Sequence, residues 1–254
     1  LAELQSIIAS ASDDFAFVRN VREYRAARAA GKHGAFIGVQ GGNALDRDPS
    51  ALDLIPDQAV LRVTLVHLSS SSLGVTSSPA GRGASRGLTL AGREYVRRLN
   101  EKKIFLDLAH ISREGFFDAL EEHDRSQPVL VTHSGVSGVF PHWRNIDDEQ
   151  IRAVADLGGT IGVIYHGQFI DGAYWGGSIE GVVRHLEHIV KVAGDDFASL
   201  GSDWDGAICP PRDMPTCLEI PRLTDLMLKR GWKPESIQKV LGGNALRVIE
   251  QLRG

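Results

Sequence analysis

Ile104-Phe-Leu-Asp-Leu-Ala-His110 and Val129-Leu-Val-Thr-His133 decide the fold: each is an apolar run of strand length that stops on a histidine. The same form recurs in both directions. Ala35 to Val39 stops at Gln40, Leu61 to Val66 at His67, Thr160 to Tyr165 at His166, and Ala198 to Ser202 at Asp203. These ends, at 40, 67, 110, 133, 166 and 203, are separated by 27, 43, 23, 33 and 37 residues, room for one βα unit each. Helical signals fill most of the gaps. Gly92 to Lys102 and Arg113 to His123 are amphipathic, Asp147 to Leu157 opens with an acidic turn, and Ser178 to Gly194 with a Ser cap. Pro221 to Arg230 and Pro234 to Leu252 follow, the latter interrupted at Gly242-Gly243. Near-continuous apolar strands alternating with helices indicate a parallel sheet covered by helices. An α/β class (β/α)8-type TIM barrel fits best, because it brings polar residues at strand C-termini to one mouth. A doubly wound open sheet is the competing arrangement, but the chain has no glycine-rich phosphate loop.

Ahead of these strands the first thirty residues read as helix, with Asp13 and Asp14 at the start of Phe15 to Ala30, alanines within it and Gly31 as its stop. Leu68 to Gly87 is Ser- and Gly-rich without apolar period, and reads either as a lid over the mouth or as a mobile loop.

Composition sets the class. The chain has 254 residues, 43% of them hydrophobic and 24% charged, which excludes intrinsic disorder. A net charge of −4 gives no reason to expect nucleic acid or an anionic membrane. Cys209 and Cys217 build neither a disulfide framework nor a zinc-type Cys-x-x-Cys pair. No apolar stretch is long enough to span a bilayer. No basic segment precedes the apolar residues of Leu1 to Ser10, so the chain as it stands carries no signal peptide, and a cytoplasmic location is favoured while remaining open.

His110, His133 and Asp203 end three separate strands. Two imidazoles and a carboxylate suit a zinc-like ion with an open position for water, which would supply the activated water and polarised carbonyl that amide hydrolysis needs. One strand-end histidine would be read as a partner for local backbone; several in register, with His67, favour a site. Gln40 points at the same mouth but is a weak, neutral ligand that cannot bridge two ions. His166 lacks an obvious partner and reads as structural. His33, His123, His142, His185 and His188 fall in helices or loops. Arg144 could fix a substrate carboxylate, although its spacing alone fits a surface arginine. Asp107 reads as facing the outer side of its strand, and Asp205 as a turn residue.

With these residues in place, the chain resembles the membrane (renal) dipeptidase family of zinc peptidases. The blocks that carry the resemblance are Gly38-Val-Gln-Gly-Gly42, Leu65-Val-His67, Leu99-Asn100 with Asp107-Leu-Ala-His-Ile-Ser112, and Pro128-Val-Leu-Val-Thr-His-Ser134. Arg144-Asn145, Gly158-Gly-Thr-Ile-Gly-Val163, Gly201-Ser-Asp-Trp-Asp-Gly206 and Gly242-Gly-Asn-Ala-Leu-Arg-Val248 complete them, in the family's order over almost the whole chain. The resemblance implies a metal-dependent hydrolase barrel that cleaves dipeptides, including those with a D- or dehydro-residue on the C-terminal side. It further implies zinc, one or two ions, with His110 and His133 as ligands of the second. Asp203 would be a ligand of the first and a proton shuttle. His67 would stabilise the tetrahedral intermediate, and Arg144 anchor the substrate carboxylate.

Two departures qualify it. Gln40 stands where the family has a bridging glutamate, and the family's His-x-Asp strand has no counterpart. The expectation is therefore one barrel domain over residues 1–254, N-terminally incomplete, with six readable strands and the first two supplied by a segment ahead of Leu1. The expected partner is a small-molecule dipeptide, with a homodimer left open. A catalytically silent barrel that binds a ligand, or a hydrolase of another small amide or lactone, are the alternatives.

Overall fold

Helix α1 (Ala2–Ser10) is followed by a strand, β1 (Phe15–Phe17), where the sequence reading places the start of a helix. In this computed structural model, which describes residues 1–42, 49–56, 58–81 and 87–254, the expected Phe15–Ala30 helix is shorter and later. It is α2 (Val21–Ala29), and it begins where Asn20 accepts a hydrogen bond from the Glu23 backbone N–H at 2.9 Å. The physical reason is local: Phe15-Ala-Phe-Val18 is mostly aromatic and β-branched and favours extended backbone, whereas Ala26, Ala27, Ala29 and Ala30 all follow the Asn20 cap. Gly31, with φ 77°, ends α2 as expected.

Strand β2 (His33–Ala35) pairs in parallel with β1, Phe15 opposite His33. The chain then passes into β3 (Gly38–Val39), so the single run read at Ala35 to Val39 is shared between two sheets. From β3 a parallel sheet runs in strict chain order through β4 (Arg62–Thr64), β5 (Phe105–Asp107), β6 (Leu130–Ser134), β7 (Thr160–Val163) and β8 (Ala198–Leu200). Those are the six strands of the sequence reading, and the architecture is that of a TIM barrel. All their neighbours are parallel, which requires a crossover each time and explains the helices between them.

The helices cover the outer face. Of these, α3 (Leu90–Glu101), α4 (Arg113–Glu122) and α5 (Asp148–Asp156) start on Thr89, Ser112 and Asp147, each accepting the N–H three residues on. After the short α6 (Gly167–Ile170), α7 (Ile179–Ala193) starts on Ser178 in the same manner. Tyr95, Leu99, Phe116, Ile151, Val182, Leu186 and Ile189 point inward and are fully buried. Each such side chain contributes roughly 1.5–3 kcal/mol of burial. Helices α8 (Ile220–Lys229), α9 (Pro234–Gln238) and α10 (Asn244–Arg253) close the chain, with the expected interruption at Gly242, φ 159°. Arg253 fastens α10 to the sheet by donating to the carbonyls of Lys103 (2.6 Å) and Val60 (2.6 Å). Among the described residues no helix is long and apolar enough to cross a membrane.

Over residues 68–81 the Ser-rich stretch is tied to neighbouring chain. Thr76 bridges to Ile111 and Gly74 to Leu88, and the Ser77 N–H donates to the His110 carbonyl at 2.7 Å. Residues 82–86 of that stretch lie outside the described residues.

Candidate active site

At the C-terminal ends of the sheet, Gln40 follows β3 directly, His133 lies within β6, and His67, His110 and Asp203 each come three residues after a strand. His110 and Asp203 have left-handed backbones, φ 70° and 59°. For non-glycine residues this costs about 1–3 kcal/mol each and is sustained only by surrounding contacts. Those contacts are present. The His110 carbonyl takes the Ser77 N–H, and the Gly206 N–H donates to the Asp203 carbonyl at 3.0 Å. The Thr76 hydroxyl lies 2.6 Å from the His67 carbonyl and 3.2 Å from that of His110, tying the two histidines together.

The structure brings most of the sequence-predicted residues to one place. His110 Nε2 lies 2.8 Å from His133 Nε2, and the Gln40 side-chain nitrogen lies 3.5 and 3.4 Å from the two. The His67 ring meets His110 edge-on, centroids 4.5 Å apart. Asp203 shares a cavity of about 230 Å³ with Gln40, Arg62, Thr132 and His133. A larger cavity, about 400 Å³, between residues 75–81, the start of α4 and Trp143, contains none of these side chains.

Arg144 is buried at 3% exposure, which overturns the surface reading of its spacing. It donates to the His133 carbonyl at 2.6 Å, and its Nε has no partner among the described residues. Burial, opposed by Asp107 and Asp203, lowers its pKa to about 10, so it stays positive at neutral pH. Burial first, and then the Arg144 charge, hold His67, His110 and His133 below the ordinary imidazole range and therefore neutral. Burial pushes the Asp203 carboxyl up, against the pull of Arg144 and Arg62.

Asp107 corrects a second expectation. It is buried, not outward-facing, and pairs with Arg62 at 3.1 Å. It also accepts from the Thr132 hydroxyl at 2.6 Å and the Thr132 N–H at 3.1 Å. A carboxylate in a dry barrel needs such partners. Arg62 and Thr132 were missed by the sequence reading. The available signal was a charged residue inside an otherwise apolar strand, since Arg62 also donates to the Gln40 side-chain oxygen at 3.4 Å. His166 precedes α6 and accepts from the Cys209 N–H at 2.9 Å, a partner the sequence does not reveal. His185 is buried between the Val136 N–H and the Ile170 carbonyl, both at 2.8 Å.

The cluster meets the needs of a metal ion only in part. His133 Nδ1 is backed by Thr132 Oγ1 at 2.8 Å, as ligating imidazoles are, but His110 Nδ1 is buried without a partner among the described residues. Among the described residues no three His, Cys, Asp or Glu side chains gather closely enough to hold an ion.

With this geometry in view, the sequence profile of the membrane dipeptidase family (peptidase family M19) matches residues 1–253. The chain belongs to the membrane dipeptidase family. Dipeptidase tcpJ of Claviceps purpurea (strain 20.1) is 28% identical over 249 residues, 98% of this chain and 58% of that protein. An uncharacterized protein in the pqqA 5′ region of Klebsiella pneumoniae is 32% identical over 183 residues, 70% of this chain and 66% of that one. The chain thus spans less than two thirds of the length of both. A metallopeptidase of Rhodobacter sphaeroides, solved with a phosphinate mimic of the dipeptide L-Ala-D-Ala, superposes with a TM-score of 0.88 at 26% identity, covering 99% of this chain and 72% of that one.

Proposed function

We propose that the barrel mouth is the substrate site of a metallo-dipeptidase that hydrolyses the peptide bond of dipeptides, with zinc as its metal. The observation that carries this reading is the meeting of three neutral imidazoles, a buried guanidinium and a carboxylate, all delivered by the ends of neighbouring strands or the loops that follow them. Arg144, positive and with Nε left over, receives the free carboxylate of the dipeptide. His67, kept neutral by burial and by Arg144, donates a hydrogen bond to the carbonyl oxygen of the scissile bond as charge develops there. Asp203, whose carboxyl pKa burial raises against the pull of Arg144 and Arg62, takes a proton from the attacking water and passes it to the departing amine. Zinc, when bound, supplies the activated water and a Lewis acid. His133 and His110 are the residues to hold it, with Gln40 a weak neutral addition, and occupancy is expected to be low.

A second reading, a silent barrel that binds the dipeptide without cleaving it, is favoured by one observation: Gln40 brings no negative charge to the histidine pair. A panel of L,L- and L,D-dipeptides with added zinc separates the two. Turnover that is lost in Arg144→Met and Asp203→Asn supports the dipeptidase. Binding without turnover supports the silent barrel, and neither binding nor turnover ends both.

A further inference from the structure

The hydrogen-bond pattern around Gln40 fixes where the protons of the two histidines sit. Asp107 already accepts from Arg62, from the Thr132 N–H and from the Ala109 N–H, so it is a carboxylate and takes the Thr132 hydroxyl proton across 2.6 Å. Thr132 Oγ1 is then an acceptor toward His133 Nδ1 at 2.8 Å, which must carry the ring proton. That leaves His133 Nε2 bare. His110 Nε2, 2.8 Å away, therefore donates to it, and His110 Nδ1 is the nitrogen without a proton, which agrees with its having no partner. Arg62 can only donate, so the oxygen of the Gln40 carboxamide faces Arg62 and its NH2 faces the imidazoles, where it adds a second, longer donor to His133 Nε2.

From this we infer that His110 Nε2 and the Gln40 amide both donate to His133 Nε2 as a shared acceptor, and that Gln40 is the residue that keeps zinc affinity low. The inference rests on the proposed dipeptidase site and deepens it. Zinc on both Nε2 atoms would require the His110 proton to move to Nδ1, where no acceptor waits among the described residues, and would require the Gln40 amide to leave the His133 lone pair. The amide offers no charge in exchange. A glutamate at the same place would accept from Arg62 and present its second oxygen to the ion instead.

Zinc affinity measured by competition with a chromophoric chelator tests this on the wild-type chain, Gln40→Glu and Gln40→Ala. The expected result is that Gln40→Glu binds zinc about 10–100-fold more tightly than wild type, with Gln40→Ala between them. Imidazole nitrogen NMR of the zinc-free wild type adds a readout that depends on no variant folding: His133 is expected protonated at Nδ1 and His110 at Nε2. Equal zinc affinities in wild type and Gln40→Glu, or a zinc-free His133 protonated at Nε2, would overturn the inference. The dipeptidase reading is judged separately, by turnover of dipeptides in wild-type protein at saturating zinc, so either can fail alone.

Discussion

The strands β6 and β7 and the stretch from α1 to β3 are built to different standards. Every residue of β7 is buried, Val131 and Ile161 are fully so, and α5 and α7 seal them from outside. By contrast α1 has no buried residue, β1 and β2 are exposed or half-buried, and β3 is a two-residue strand. The candidate site straddles this divide. His110, His133, Arg144 and Asp203 are mounted on the well-packed side, whereas Gln40 hangs from β3, steadied by the Gly41 N–H bonding to Thr64 Oγ1 at 2.5 Å. Local stability follows buried contacts, so the residue that sets the charge of the cluster sits on its least buttressed support.

The largest expected effect is on the packed side. Ile161→Ala removes buried methyl groups from a strand covered on both faces, and is expected to cost about 2–5 kcal/mol in denaturant unfolding. A cost under about 1 kcal/mol would mean that β7 repacks freely, and the contrast between the two regions would lose its basis.

Acid should strike the same side next. His185 uses both ring nitrogens on buried backbone partners, and burial, mainly, lowers its pKa to about 4 from 6.5. Its folded pKa lies below its unfolded one, so the unfolded chain binds the proton more readily. The stability it contributes is complete above about pH 6.5 and is lost as pH falls toward 4, on the order of 3 kcal/mol over that window. Denaturant midpoints taken at several pH values for wild type and His185→Gln isolate this share. Parallel pH profiles would remove His185 from the account.

How far the sequence carried this picture differs between the same two regions. On the packed side the apolar runs are long and unambiguous, and the positions that end them are legible because a barrel turns strand ends into neighbours. On the other side, Phe15-Ala-Phe-Val18 is too short for a period to declare itself beside an alanine-rich helix, and the two were merged. Burial of long polar side chains escaped for a different reason. Arg144 sits in a loop whose spacing says nothing of depth, and Asp107 was assigned a face by alternation alone. Their partners, the His133 carbonyl for one and Arg62 with Thr132 for the other, come from distant parts of the chain. Thr76 escaped because a hydroxyl in a Ser-rich stretch is indistinguishable from its neighbours until the chain folds back on His110.

Thr76→Val sharpens the comparison from the middle, because it keeps the shape and removes the hydroxyl that joins the His67 and His110 carbonyls. The His110 carbonyl retains the Ser77 N–H, so the loss falls on the His67 carbonyl and on the Ser78 N–H, which donates to the Thr76 hydroxyl at 3.3 Å, and a stability cost of about 1–2 kcal/mol is expected. Weaker dipeptide binding should accompany it, with Thr76→Ser restoring both. A stability loss with unchanged binding would make Thr76 structural only.

Ile7→Ala sets the lower bound. Ile7 is 58% exposed on a helix without a buried residue, so truncation forfeits little burial and leaves no enclosed void. Alanine also has the better helix propensity, which offsets part of what is lost. The net change is expected within about 0.5 kcal/mol of zero, by the same denaturant measurement that should register Ile161→Ala as several-fold larger. A cost near that of Ile161→Ala would show that the exposed face of α1 is covered in solution, and that the support beneath Gln40 is stronger than the burial of α1, β1, β2 and β3 implies.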